Sequence, residues 1–131
     1  MARQVPYVSY LSLDGEPHLV AHECASCGAL FLDRRNACAN CGARVFRSRN
    51  LANTGVLRAF TIVHRASPGV TVPYISGIVD VDGGGVVKAN IVGVAAEPGN
   101  LALGMRVKLT TFPAGTDSDG TEAVAFGYQR A

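Results

Sequence analysis

The 131 residues carry 12 Lys or Arg against 10 Asp or Glu, and 48% of them are hydrophobic while 17% are charged. That balance excludes an intrinsically disordered chain and supplies ample apolar material for a core. A formal net charge of +2 weakens the case for a strongly basic, nucleic-acid-seeking chain.

The first stretch, residues 1–19, reads as an N-terminal arm. It has no basic patch followed by a long apolar run and a small-residue cleavage site, and no stretch of the chain approaches about 18 consecutive apolar residues. A cytoplasmic protein with no membrane partner is therefore expected. Tyr7, Tyr10 and Leu11 fall at helical spacing after Pro6, which suits a first helical position. Gly15 and Pro17 would end such a helix. A short helix and an extended arm both remain open, because the apolar face is too narrow to fold alone.

Residues 20–50 hold all four cysteines as two C-x-x-C pairs, Cys24/Cys27 and Cys38/Cys41, with ten residues between the pairs. Each pair can turn two sulfurs toward one ion, and two pairs complete the four-thiolate tetrahedral shell of a structural Zn²⁺. Gly28 and Gly42 each follow a pair, where a backbone wrapping an ion benefits from a residue that tolerates positive φ. A redox dithiol needs only one such pair, at a helix start inside a βαβ pattern that is missing here, and disulfides do not suit a reducing compartment. His22 is a conceivable substitute ligand, but four thiolates already fill the shell.

Between Arg34 and Arg65 there are seven arginines and no acid. Four thiolates around a dication carry a charge of −2, so Arg34, Arg35, Arg44, Arg47 and Arg49 can serve partly as counter-charges and partly as a partner-facing surface. Counting that centre takes the formal net charge from +2 to about zero, which weakens the nucleic-acid case further.

From residue 51 to residue 131 cysteine disappears and short Val, Ile, Ala and Gly runs alternate with turn signals. Five strands are predicted: Gly55 to Arg65, Tyr74 to Val81, Val86 to Val94, Met105 to Phe112, and Glu122 to Gln129. "DGGG" is a hairpin signal between the second and third. "FPAGTDSDGTEA" is a turn between the last two, with Asp117 and Asp119 as loop acids, and "AEPGNLALG" has room for one helical turn. Five strands with no helix pattern predict a mainly β chain whose C-terminal part is a small OB-type barrel.

A four-cysteine ribbon leading into such a barrel resembles the zinc-ribbon OB-fold acyl-CoA-associated proteins, accessory subunits of thiolase-like enzymes. The resemblance rests on "HLVAHECASCGALFLDRRNACANCG", "GVLRAFTIVHR", "VPYISGIVDVDGG", "VKANIVG" and "LGMRVKLTTF", in that order. It implies a rubredoxin-like zinc ribbon and a hetero-oligomer with a sterol-carrier-type thiolase or an aldolase. It also implies a part in handling CoA thioesters in lipid metabolism.

No catalytic residue is expected in this chain. There is no G-x-S-x-G elbow, no H-E-x-x-H and no G-x-x-x-x-G-K. His64 is the one candidate acid or base of the barrel, although a strand-end histidine needs no such role. Phe60, His64, Pro73, Tyr74 and Asn90, on or beside the first three barrel strands, are the candidate acyl-CoA entrance, and Arg34 and Arg35 the candidate partner interface. The alternative function is a single-stranded nucleic-acid module, since ribbons and OB barrels both bind such strands. Against it stand 7% aromatic residues, no tryptophan, and Lys88 as almost the sole cation of the inferred binding face.

Overall fold

A computed structural model describes residues 3–131. It contains ten strands in chain order: β1 (Gln4–Pro6), β2 (Leu11–Ser12), β3 (His18–Cys24), β4 (Leu30–Phe31), β5 (Phe46–Asn50), β6 (Thr54–Val63), β7 (Tyr74–Val81), β8 (Val86–Ile91), β9 (Arg106–Thr116) and β10 (Glu122–Arg130). One 3₁₀ turn, Pro98–Asn100, lies between β8 and β9 where a single helical turn is expected. No helix among the described residues is long and apolar enough to cross a membrane.

β6 to β10 close a five-stranded barrel. β6, β7 and β8 form an antiparallel meander, β8 runs parallel to β10 at the Ile91–Tyr128 pair, and β10 returns antiparallel to β9. The ring closes where β9 pairs β6 over Thr54–Val56. This is the OB-type barrel expected from the strand count. Its strands alternate as half-buried strands must, with Ile75, Val79 and Val81 of β7 directed inward. Leu57, Ile75, Val79, Val87, Val107 and Tyr128 have essentially no exposure and form the centre of the core.

Three inward glycines let the strands approach one another. A Cβ on Gly55 would collide with the Asp80 carbonyl oxygen, one on Gly77 would lie 2.9 Å from Ile91, and one on Gly127 2.8 Å from the Asn90 carbonyl oxygen. At Gly55 and Gly127 the obstacle is backbone and cannot move aside, whereas at Gly77 the Ile91 side chain would have to shift, so close strand approach depends most on the first two.

The arm is not helical. β1 lies parallel to β10, with Gln4 opposite Glu122, and the Tyr7 N–H donates to the Val124 carbonyl at 2.8 Å. β2 pairs β3 and buries Leu11. The helical spacing of Tyr7, Tyr10 and Leu11 is overridden by two sheet edges that supply backbone partners, β10 for Tyr7 and β3 for Tyr10 and Leu11. Strand ends also move. β6 stops at Val63, leaving His64 and Arg65 in an exposed loop, β8 stops at Ile91, and β9 runs on through Pro113 to Thr116. The last hairpin turn is thereby shortened, and Asp117 closes it by accepting the Asp119 and Thr121 N–H groups at 2.9 Å on its carboxylate.

β2, β3, β4 and β5 form a second, four-stranded sheet, with Cys24 at the end of β3 and the other three cysteines in the loops beside it. It docks on the barrel at the glycine turn between β7 and β8. The Arg49 guanidinium donates to the Gly83 carbonyl at 2.7 Å and to Glu23 at 2.9 Å, while a Cβ on Gly84 would meet Leu30. Gly83, Gly84 and Gly85 all have positive φ, so this turn needs glycine both for its backbone and for the approach of the ribbon.

Candidate metal centre

Each C-x-x-C segment folds into the same tight turn. In the first, the Gly28 N–H donates to the Cys24 carbonyl at 2.9 Å and the Cys24 N–H to the Ala29 carbonyl at 2.8 Å. In the second, Gly42 donates to Cys38 at 2.8 Å and Cys38 to Ala43 at 2.7 Å. Both glycines have φ of 79°. The expected role of Gly28 and Gly42 is thus observed, and the two turns are near-copies of one another facing across a shared centre.

At that centre the four Sγ atoms lie within 4.8 Å of one another. Cys24 and Cys41 are 3.6 Å apart, as are Cys27 and Cys38. A tetrahedron with zinc–sulfur bonds of about 2.3 Å places adjacent sulfurs roughly 3.8 Å apart, whereas a disulfide needs about 2.05 Å. The thiols are free, and the donor set fits one zinc ion. His22 is not among the converging groups; it faces Phe31 and Ser48 in the ribbon sheet.

The electrostatics of the thiols agree with a cation site. N–H groups of Cys27 and Ser26 lower the Cys24 thiol below its ordinary value. The Asn40 amide and the Ala29 N–H bring Cys27 down to about 6. Cys41 behaves oppositely: the Ala43 N–H favours its thiolate, but Cys24, Cys27 and Cys38, together with burial, drive it up to about 12. Four sulfurs this close cannot all ionise until a divalent cation offsets their repulsion.

The arginines divide into two groups. Arg47 and Arg49 both bind Glu23, at 2.6 and 2.9 Å, and Glu23 is held below the usual carboxylate range by their hydrogen bonds. Arg58 reaches Asp80 at 3.6 Å. Among the described residues Arg34, Arg35 and Arg44 have no acidic partner. Arg34 donates to Asn36, and Arg35 sits 4.7 Å from the centroid of the Phe31 ring.

The candidate entrance residues do not form one cluster. Pro73, Tyr74 and Asn90 line a depression of about 350 Å³ with residues 91–96. Phe60 packs against the core and lines another, of about 250 Å³, with Ser76, Ile78 and Lys88. A third, also about 250 Å³, joins them: it shares Lys88 with one and Asn90 with the other, and is walled by Tyr7, Tyr10, Phe112 and Phe126. His64 lines none of the three. Sequence reasoning missed the aromatic wall supplied by the arm, because only the unexpected β1–β10 pairing brings Tyr7 and Tyr10 beside β8.

Residues 14–47 match the ChsH2 rubredoxin-like zinc ribbon domain, and residues 48–112 match the ChsH2 C-terminal OB-fold domain. The chain belongs to the ChsH2 family. Among solved structures it is similar to the Ltp2-ChsH2(DUF35) aldolase, with 26% identity over 86% of this chain and 84% of that one and a TM-score of 0.67. It also aligns, at 16% identity and a TM-score of 0.48, with a protein of unknown function from the DUF35 family of Sulfolobus solfataricus, over 81% of this chain and 73% of that one. No curated protein matches it. The ChsH2 ribbon model ends at residue 47, within β5, and the barrel model begins at residue 48.

Proposed function

We propose that this chain is a non-catalytic accessory subunit of a thiolase-like or aldolase enzyme acting on CoA thioesters in the cytoplasm. The observation that carries the reading is the similarity, over 86% of this chain, to a chain of the Ltp2-ChsH2(DUF35) aldolase, together with the match to both ChsH2 domains. In this reading Cys24, Cys27, Cys38 and Cys41 hold a structural zinc, and the nucleophile and acid–base groups belong to the partner. The outer face of β7 and β8, with Tyr74 and Asn90 from the sequence and Lys88 from the structure, borders the thioester entrance, with Pro73 just before β7 and Phe60 on the adjoining β6. Such a wall matters because a misplacement of about 1 Å in a bound substrate can cost on the order of a hundredfold in rate. Arg34 and Arg35, lacking acidic partners within the described residues, face the other subunit.

The same free arginines favour the alternative of a single-stranded nucleic-acid module. A tagged copy recovered from its native host separates the two. Stoichiometric co-purification of a thiolase-like chain that survives nuclease treatment supports the accessory role. Recovery of nucleic acid alone, with affinity falling steeply as salt rises, supports the alternative and overturns the first reading.

A further inference from the structure

The two cysteine turns are near-copies, and the place where they differ is informative. In each turn the first cysteine is buried and the second exposed: Cys24 and Cys38 inside, Cys27 and Cys41 outside. The backbone around the two exposed sulfurs is alike: the Ala29 N–H favours the Cys27 thiolate as the Ala43 N–H favours that of Cys41. The residue preceding the second cysteine is Ser26 in the first turn and Asn40 in the second. The Asn40 backbone N–H donates to Cys38 of its own turn at 3.3 Å, and its side-chain Nδ2 crosses the centre to donate to Cys27 at 3.4 Å. Among the described residues no amide or guanidinium side chain makes the reciprocal bond to Cys41.

We propose that Asn40 is a positioning residue that makes the two exposed sulfurs of the metal centre unequal, shielding and holding Cys27, so that Cys41 is where the centre is attacked and begins to lose its ion. This rests on the four thiolates holding a metal. Once a dication is bound all four sulfurs are thiolates, so their order of reaction follows exposure and hydrogen bonding. A hydrogen bond donated to sulfur withdraws electron density from the lone pair that an electrophile would engage, and it restrains the side chain against swinging away from the ion. Cys27 has one such side-chain donor, Asn40, and among the described residues Cys41 has no amide or guanidinium side-chain donor. The asymmetry gives a chain that works through a structural ribbon one defined point of chemical vulnerability, on the turn that carries Arg44.

The test uses the zinc-loaded full chain and a limiting amount of iodoacetamide, with each cysteine followed by peptide mass spectrometry. In the probe reaction the sulfur forms a bond to the methylene carbon, the carbon–iodine bond breaks, and iodide leaves with the electron pair. The capped thioether then releases the ion, read by a chromogenic chelator. Cys41 is expected to be capped about tenfold faster than Cys27, the scale of one hydrogen bond to a charged group. Asn40→Ala should bring Cys27 to within about twofold of Cys41 and speed zinc transfer to the chelator. Ser26→Asn should slow Cys41 by placing an amide where the first turn lacks one.

Equal rates in the zinc-loaded unsubstituted protein, or a faster Cys27, overturn the proposal alone. A reduced preparation with no stoichiometric zinc overturns it together with the metal reading. If Asn40→Ala fails to retain zinc, the Cys41-to-Cys27 ratio in the unsubstituted chain and in Ser26→Asn still decides.

Discussion

Between Ala25 and Asn50 the only buried side chain is that of Cys38, whereas the barrel buries six side chains to essentially zero exposure around Leu57 and Val79. The ribbon and the barrel therefore stand for different physical reasons. Apolar area removed from water holds the barrel, at about 25 cal/mol per Å², and three glycines set how closely its strands approach. The ribbon has too little apolar surface to order some thirty residues against their conformational entropy. What organises it is the convergence of four sulfurs on one cation, supplemented by the Glu23–Arg49 link to the glycine turn and by Leu19 and Ala21, through which β3 joins the barrel core. A small unit of this kind takes most of its folding free energy from metal binding.

Removing the metal should break the comparison most visibly. Chelation, or Cys38→Ser, is expected to abolish the ribbon's amide protection against hydrogen exchange while leaving β6 to β10 protected. Loss of protection throughout the barrel would contradict the division. The converse perturbation is Leu57→Ala, which should destabilise the barrel by about 2–5 kcal/mol without lowering zinc content, measured by urea unfolding and elemental analysis. Gly55→Ala should cost about 1–3 kcal/mol through its collision with the Asp80 carbonyl.

How much of this was legible beforehand follows the range of the interactions. The metal centre is local: ligand identity and spacing lie within 18 residues, so four cysteines and two glycines suffice to place it. β7 is legible to the residue, because Ile75, Val79 and Val81 alternate between turn signals. β1 is not, since its partner is β10 at the other end of the chain and Pro6, at a sheet edge, gives no warning. Nor is the continuation of β9 through Pro113, a residue that reads as a stop but sits opposite Val124 beside a bulge. Glu23 lies outside the arginine-rich run, and only the β3–β5 register places it against Arg47 and Arg49. The Asn40 bridge is equally hidden, because it depends on one turn facing the other.

Smaller effects sharpen the contrast further. The Tyr128 hydroxyl is buried with no hydrogen-bond partner, and burial raises its ionisation to about 12. Tyr128→Phe should accordingly leave barrel stability unchanged or raise it by about 1 kcal/mol, and a clear loss would show that the hydroxyl has a partner in solution. Asp82 is held at about 2 by hydrogen bonds from Arg106 and Thr54. A carboxylate depressed in the folded state contributes stability that is fully present above about pH 4, its unfolded range. That contribution fades as pH falls toward 2. The urea midpoint should drop across that window, and Asp82→Asn should flatten its share of the drop.

Reconstitution tests the accessory role most directly. The zinc-loaded chain is assayed alone, the co-purified thiolase-like subunit alone, and the two together, for carbon–carbon bond cleavage in an acyl-CoA thioester. The isolated chain should be inert, the mixture should exceed the partner alone, and Tyr74→Ala should raise the apparent KM for the thioester more than it weakens assembly. Enzyme-like turnover by the 131-residue chain on its own, or a partner equally active without it, would contradict the account.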